Sequence, residues 1–232
     1  MLRFIVIITM VLAMLLVACG KKQNTADIIH DENAPTDIKS FDLDFGFKVS
    51  AGNDDIPLFY TYFKLERNKK VIYLSDSQLE YDFTNFGESF PIILQTGKNS
   101  FELLFEIENR PSKNYLKRLF VSNDKLIKED MVPTFEAKPK DINGDGIKEY
   151  AGFWDYFQVG GPDENGEMTT DYNPILYYSV TDTGLKLDSL LTTQQNEKIY
   201  GQFQGYEFDP YNSQPYSIMD RFSQAIELII NE

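Results

Sequence analysis

Apolar and polar positions alternate along most of this chain. Leu43, Phe45, Phe47 and Val49 fall two apart, with Asp42, Asp44, Gly46 and Lys48 between them. Phe101, Leu103, Phe105 and Ile107 repeat the pattern, with Glu102, Leu104, Glu106 and Glu108 between. A period of two sends alternate side chains to opposite faces, so each run predicts a strand with one buried face. Glu102 and Glu106 then belong to the polar side, where solvated charge is expected. Further strands are predicted at 58–65, 71–74, 79–83, 92–95, 115–121, 150–159, 175–181 and 198–208. Many of these carry the Tyr, Phe, Ile and Val that fit a pleated surface. Gly52-Asn53-Asp54-Asp55, Gly97-Lys98-Asn99, Asn123-Asp124 and Thr183-Gly184 supply turns. The period changes near the end. Ile218, Met219, Phe222, Ala225, Ile226 and Ile229 recur at helical spacing over 216–231, just after Pro215. That apolar face is expected to pack on a sheet rather than on a partner. The pattern as a whole predicts a mainly β body, an antiparallel sandwich, barrel or propeller-like fold, with one C-terminal amphipathic helix. No internal repeat argues for the propeller.

Ahead of the body the pattern is different. Phe4 to Val17 is an apolar run of fourteen residues, with Thr9 its only polar member and Arg3 before it. A spanning helix needs about 20 apolar residues, and the core of an export signal about 7–15. Length therefore selects the signal. The run closes on Leu16-Val17-Ala18-Cys19-Gly20. This resembles the lipobox of bacterial lipoproteins, in which small residues precede a Cys that is acylated and becomes the new N-terminus. The resemblance implies a signal peptide over 1–18 and lipidation (palmitate or a similar chain) at Cys19. It also implies a membrane-anchored place in the bacterial cell envelope, with inner and outer membrane both open. Each buried acyl methylene contributes about 0.8 kcal/mol, so two or three chains anchor a protein firmly. Residues 19–40 are polar but for Ile28, Ile29 and Ile38, and read as a flexible tether. Lys21 and Lys22 lie beside the anchor, and His30 is expected to be solvated.

Composition narrows the chemistry. The 232 residues carry 22 Lys and Arg against 36 Asp and Glu, a formal charge of -14. Phosphate contacts need a basic face, so no nucleic-acid partner is expected. One His and one Cys exclude a zinc site built from those residues and a disulfide within the chain. A catalytic triad would have to recruit His30 from the tether.

One stretch carries recognisable chemistry. Asp141, Asn143 and Asp145 stand at alternating places in Asp141-Ile142-Asn143-Gly144-Asp145-Gly146-Ile147-Lys148-Glu149. Gly146 follows where the chain must turn, Ile147 offers a backbone carbonyl, and Glu149 adds a carboxylate. Calcium takes six to eight oxygens, and this spacing curls several around one point. The loop departs from an EF-hand, because Gly152 holds the twelfth position and an aromatic, strand-like segment follows. It resembles the calcium loops of FG-GAP and related extracellular β-repeat proteins and, more weakly, periplasmic β-propeller proteins, some of them similar to lysozyme inhibitors. The resemblance covers about ten residues. It implies structural calcium at Asp141, Asn143, Asp145, Ile147 (backbone) and Glu149, and no catalytic activity. The plainer alternative is a tight Asn-Gly or Asp-Gly turn with solvated acids.

Two weaker features remain. Asp163, Glu164, Glu167 and Asp171 crowd the 160–171 segment, either completing the calcium shell, forming a lid or tipping an acidic hairpin. Aromatics crowd the second half: Tyr150, Trp154, Tyr156, Tyr172, Tyr177, Tyr178, Tyr200, Tyr206, Tyr211 and Tyr216. Such rings hold sugars in some proteins but pack cores in most. No Gly-rich phosphate loop or nucleophile elbow is present. The expected function is therefore a cell-envelope lipoprotein with a calcium-stabilised, β-rich domain that binds an envelope protein or glycan. The alternatives are a glycan hydrolase using a carboxylate pair and a purely structural envelope protein.

Overall fold

The computed structural model describes residues 37–52, 58–75 and 78–231. The expected signal peptide, Cys19, and the tether as far as residue 36 lie outside them, as do Asn53, Asp54 and Asp55 of the first predicted turn. The strands of the first half are β1 (Ile38–Asp42), β2 (Phe47–Gly52), β3 (Phe59–Tyr60), β4 (Tyr62–Arg67), β5 (Lys70–Leu74), β6 (Tyr81–Asp82), β7 (Ile92–Gly97), β8 (Ser100–Ile107), β9 (Tyr115–Ser122) and β10 (Lys125–Pro133). The second half holds β11 (Glu149–Gly152), β12 (Val159–Pro162), β13 (Met168–Tyr172), β14 (Leu176–Thr181), β15 (Gly184–Leu187), helix α1 (Ser189–Tyr200), β16 (Asp209–Pro215) and helix α2 (Ile218–Ile230).

All the strand pairings are antiparallel. The fold is mainly β and sandwich-like, and no sheet among the described residues closes into a barrel. One sheet runs β1-β2-β4-β5; a second runs β10-β9-β8-β6-β3, with β7 also on β8. Their facing sides share a core of Phe47, Val49, Phe63 and Leu65 against Phe101, Leu103, Phe105 and Ile107. A third sheet, β11-β14-β15, covers the other side of the second, where Leu104, Leu116 and Val132 meet Leu176, Tyr178 and Leu185. The helices cover the far side of β14, where Ile175 and Tyr177 meet Leu191, Ile199 and Phe222. A small sheet, β12-β13-β16, completes the second half.

This layering corrects the expectation for Glu102 and Glu106. The alternation at β8 is real, but both faces are covered, and the two glutamates are 3% and 6% exposed. The predicted single strand through Phe45 is instead a hairpin. A 3-10 turn at Asp44–Gly46 reverses the chain, with Phe45 and Gly46 at φ 58° and 76°. β1 takes in Ile38–Ser40, the last residues assigned to the tether. The predicted strand at 198–208 is not there: Lys198–Tyr200 end α1, and the chain then runs irregularly to β16. The predicted C-terminal helix is present and buries Ile218, Phe222 and Ile229. Its apolar face meets the body as expected, with Phe222 edge-on to Phe153 at 5.3 Å between centroids.

Candidate functional site

The 141–149 loop leaves and rejoins the body at a neck. Lys140 and Glu149 exchange backbone hydrogen bonds of 3.0 and 2.8 Å, and the Val180 N–H donates to the Lys148 carbonyl at 2.8 Å. The Lys140 ammonium donates to the carbonyls of Leu228 (3.1 Å) and Asn231 (2.6 Å), tying the neck to the C-terminal end of α2. Within the loop, Gly144 and Gly146 sit at φ 79° and 87°, a region that glycine occupies without strain.

The predicted ligands turn inward on the loop's own backbone. Asp141 accepts the N–H groups of Gly144, Asp145 and Gly146 at 2.7, 3.1 and 2.9 Å. Asn143 Oδ1 accepts from Asp145, and Asp145 Oδ1 from Ile147. Asn143 Nδ2 donates to Asp145 Oδ2 at 3.1 Å. Ile147 is exposed. Glu149 is different: it is 1% exposed, its Oε2 accepts the Ile142 N–H at 3.0 Å, and its Oε1 has no hydrogen-bond partner among the described residues. Desolvation, followed by the charges of Asp145, Asp141 and Asp188, raises its pKa above the usual carboxylate range. Among the described residues no three His, Cys, Asp or Glu side chains already form a metal-holding group. The donor set nevertheless fits a hard cation, because a buried, unpartnered carboxylate oxygen sits at the foot of a loop of oxygen donors. An ion would replace amide bonds to the aspartates as their side chains rotate toward it.

The other expected participants separate. Asp163 caps its own hairpin tip, with Oδ1 accepting from Asn165 and Glu167. Asp171 is buried on β13. Of the aromatics, Tyr172, Tyr177, Tyr178 and Tyr200 are core residues. Tyr206 and the fully solvated Tyr211 border a cavity of about 620 Å³ together with Asp209.

A second candidate site was not visible in the alternation. Two cavities of about 540 and 550 Å³ share Glu106, Thr134, Phe135 and Glu136. Glu106 accepts from Asn114 Nδ2 at 3.0 Å and from Asn85 Nδ2 at 3.4 Å, and Asn114 also reaches Asp82 at 2.9 Å. Desolvation raises the Glu106 pKa against the opposing effect of those two amides. Glu136 Oε1 lies 2.9 Å from Lys113 Nζ, an ion pair without hydrogen-bond alignment. The same ammonium donates to the Thr134 carbonyl at 3.0 Å and lies over the Phe153 ring. The sequence clue would have been the acidic residues of β8 together with a second half long enough to cover them.

Comparisons with family models, with curated proteins and with solved structures find no match for this chain. Among the described residues no helix is long and apolar enough to cross a membrane.

Proposed function

We propose that this protein is a lipid-anchored binding protein of the bacterial cell envelope, acylated at Cys19, with a β body that binds an envelope protein or glycan. Calcium at Asp141, Asn143, Asp145, Ile147 (backbone) and Glu149 stabilises that body. The observation that carries the calcium reading is Glu149 Oε1, a buried carboxylate oxygen without a donor beside two further carboxylates. A divalent ion supplies the charge that offsets all three. The leader and Cys19 support the anchor. The cleft over Glu106 supports ligand binding, because it places amides and carboxylates above an apolar wall of Phe90 and Ile92.

The test is a thermal melt of the full chain in detergent, in EDTA, in millimolar calcium and in magnesium. Saturation at 100 times the dissociation constant contributes about 2.7 kcal/mol. A calcium-specific rise is expected in the parent and a smaller one in Asp145→Ala. An unchanged melt in the parent would reduce the loop to a plain turn. For the ligand, sedimentation with purified peptidoglycan and with envelope extracts is the measurement, and no retention of the protein in either would remove the binding reading.

One observation favours the hydrolase as a second reading. Glu106 is buried with a raised pKa, as a proton-donating acid must be, and it opens onto the same cleft as Glu136. Turnover of cell-wall glycans that disappears in a folded Glu106→Gln variant would establish it. A screen with no turnover leaves the binding protein.

A further inference from the structure

Asp171 lies near the end of β13, Asn173 follows just past it, and both side chains hydrogen-bond the 155–158 segment. Asp171 Oδ1 accepts the Gln158 N–H at 3.3 Å and the Thr170 hydroxyl at 3.1 Å. Its Oδ2 is buried and has no partner among the described residues. Asn173 is held on three sides. Its N–H donates to the Tyr200 hydroxyl at 3.2 Å, its carbonyl accepts from that hydroxyl at 2.8 Å, and its Nδ2 donates to the Asp155 carbonyl. The last bond fixes which end of the amide is oxygen, and that Oδ1 is also without a partner. Asp171 and Asn173 are 4% and 0% exposed. Asp155, half-buried, uses one oxygen to accept the N–H groups of Lys113 (3.1 Å) and Tyr156 (2.8 Å). Among the described residues neither Asp155 nor Asp171 forms an ion pair with a Lys or Arg side chain.

We propose that Asp171 Oδ2, Asn173 Oδ1 and the Asp155 carboxylate form a second site for a hard divalent cation, separate from the 141–149 loop. Buried acceptors without donors are rare and costly, and two beside the same 155–158 segment are served by one shared partner. The donors are all oxygen, which selects calcium-like ions over thiolate- or imidazole-seeking metals. A proton on Asp171 would serve Asn173 Oδ1 but leave the Asp155 charge, which acts on Asp171, unopposed. A water molecule donates to both oxygens but brings no charge. A cation serves both oxygens and offsets both carboxylates, and it can complete its shell with water on the half-buried Asp155 side. The argument rests on atoms distinct from those of the loop, so the two sites stand or fall separately.

Calorimetric titration of the EDTA-treated full chain in detergent with calcium chloride, at constant ionic strength, tests this. Two ions per chain are expected for the parent, one for Asp145→Ala, one for Asp171→Asn and none for the double variant. Asn at position 171 supplies an N–H for Asn173 Oδ1, so Asp171→Asn should melt in EDTA at or above the parent's temperature. Should it fail to fold, Asp155→Asn takes its place. Loss of all binding in Asp145→Ala, or unchanged stoichiometry in folded Asp171→Asn, would overturn the proposal. If Asp145→Ala keeps all the parent's binding and Asp171→Asn abolishes it, this site stands and the loop fails.

Discussion

Burial sets the protonation chemistry of single residues here. Tyr177, Tyr178 and Tyr200 lie in the core, and desolvation holds their hydroxyls above the ordinary value, Tyr178 at about 12 and the other two higher. Free phenols ionise near about pH 10. Above that pH the unfolded chain releases these protons while the folded chain retains them, so stability falls as pH rises. The loss runs from about pH 10 upward, ending near 12 for Tyr178 and later for its neighbours, with each tyrosine adding about 1.4 kcal/mol per pH unit. Urea midpoints between pH 9 and pH 11 should therefore drop less steeply in Tyr177→Phe than in the parent. Equal slopes would mean that Tyr177 ionises freely in the folded protein. Glu102 and Glu106 act at the other end. Their raised pKa values favour the folded state fully below the ordinary carboxylate range, and this advantage is lost as pH rises through the folded values.

At the scale of elements, what could be read in advance depended on which atoms bury each segment. Strands β8, β9 and β14 were legible because apolar side chains do the work, and so was α2, whose stripe joins the apolar core of the second half. Helix α1 was not. Its inner face carries Thr192 and Asn196, fully buried, which hydrogen-bond the backbone of the strand beside it. Asn196 accepts from Ile175 N–H at 2.9 Å and donates to the Ile175 carbonyl at 2.7 Å, while Thr192 Oγ1 accepts from Tyr177 N–H at 3.1 Å. Polar residues in an interior leave no hydrophobic period to find. Only the ends announced this helix: Asp188 caps it by accepting from Leu191 N–H at 2.8 Å, and Gly201 closes it at φ 81°. Strand β10 hid for the opposite reason. It lies at the edge of its sheet, and only Val132 and Pro133 are buried, so its charges mask the strand. The proposed calcium loop was legible as a motif because its candidate ligands are close together in sequence. The proposed Asp155–Asp171–Asn173 site was not, because Asp155 comes from a different segment than the other two.

Across the whole molecule, one polar joint ties the two halves of the body. Arg118 on β9 holds Asp130 on β10 through paired bonds of 2.7 and 2.8 Å and donates to the Leu185 carbonyl on β15 at 3.2 Å. The Leu185 N–H donates in turn to Glu102 Oε2 at 3.0 Å, and Arg118 stands 4.0 Å from that same oxygen. The fit is close enough that a Cβ at Gly184, at φ 101°, would lie 2.1 Å from Glu102 Oε1. A fork-shaped cation thus meets two carboxylates and one backbone carbonyl across the layer where the second sheet meets the third. Arg118→Met removes the nearest cation and leaves Glu102 buried with the Leu185 amide and the weaker field of Lys128 against its charge. Breaking such a pair on one side costs about 3–5 kcal/mol, more than the pair itself contributes. Glu102→Gln keeps an acceptor for Leu185 N–H and removes the charge, so in the Arg118→Met background it should restore part of the loss. Urea unfolding of the parent, both single variants and the double variant measures this coupling. The double variant is expected to be more stable than Arg118→Met alone, whereas two costs that simply add would show that Glu102 does not depend on Arg118. The acidic balance of the chain makes that dependence physical: carboxylates are in excess, and Glu102, between two sheets, shares Arg118 with Asp130.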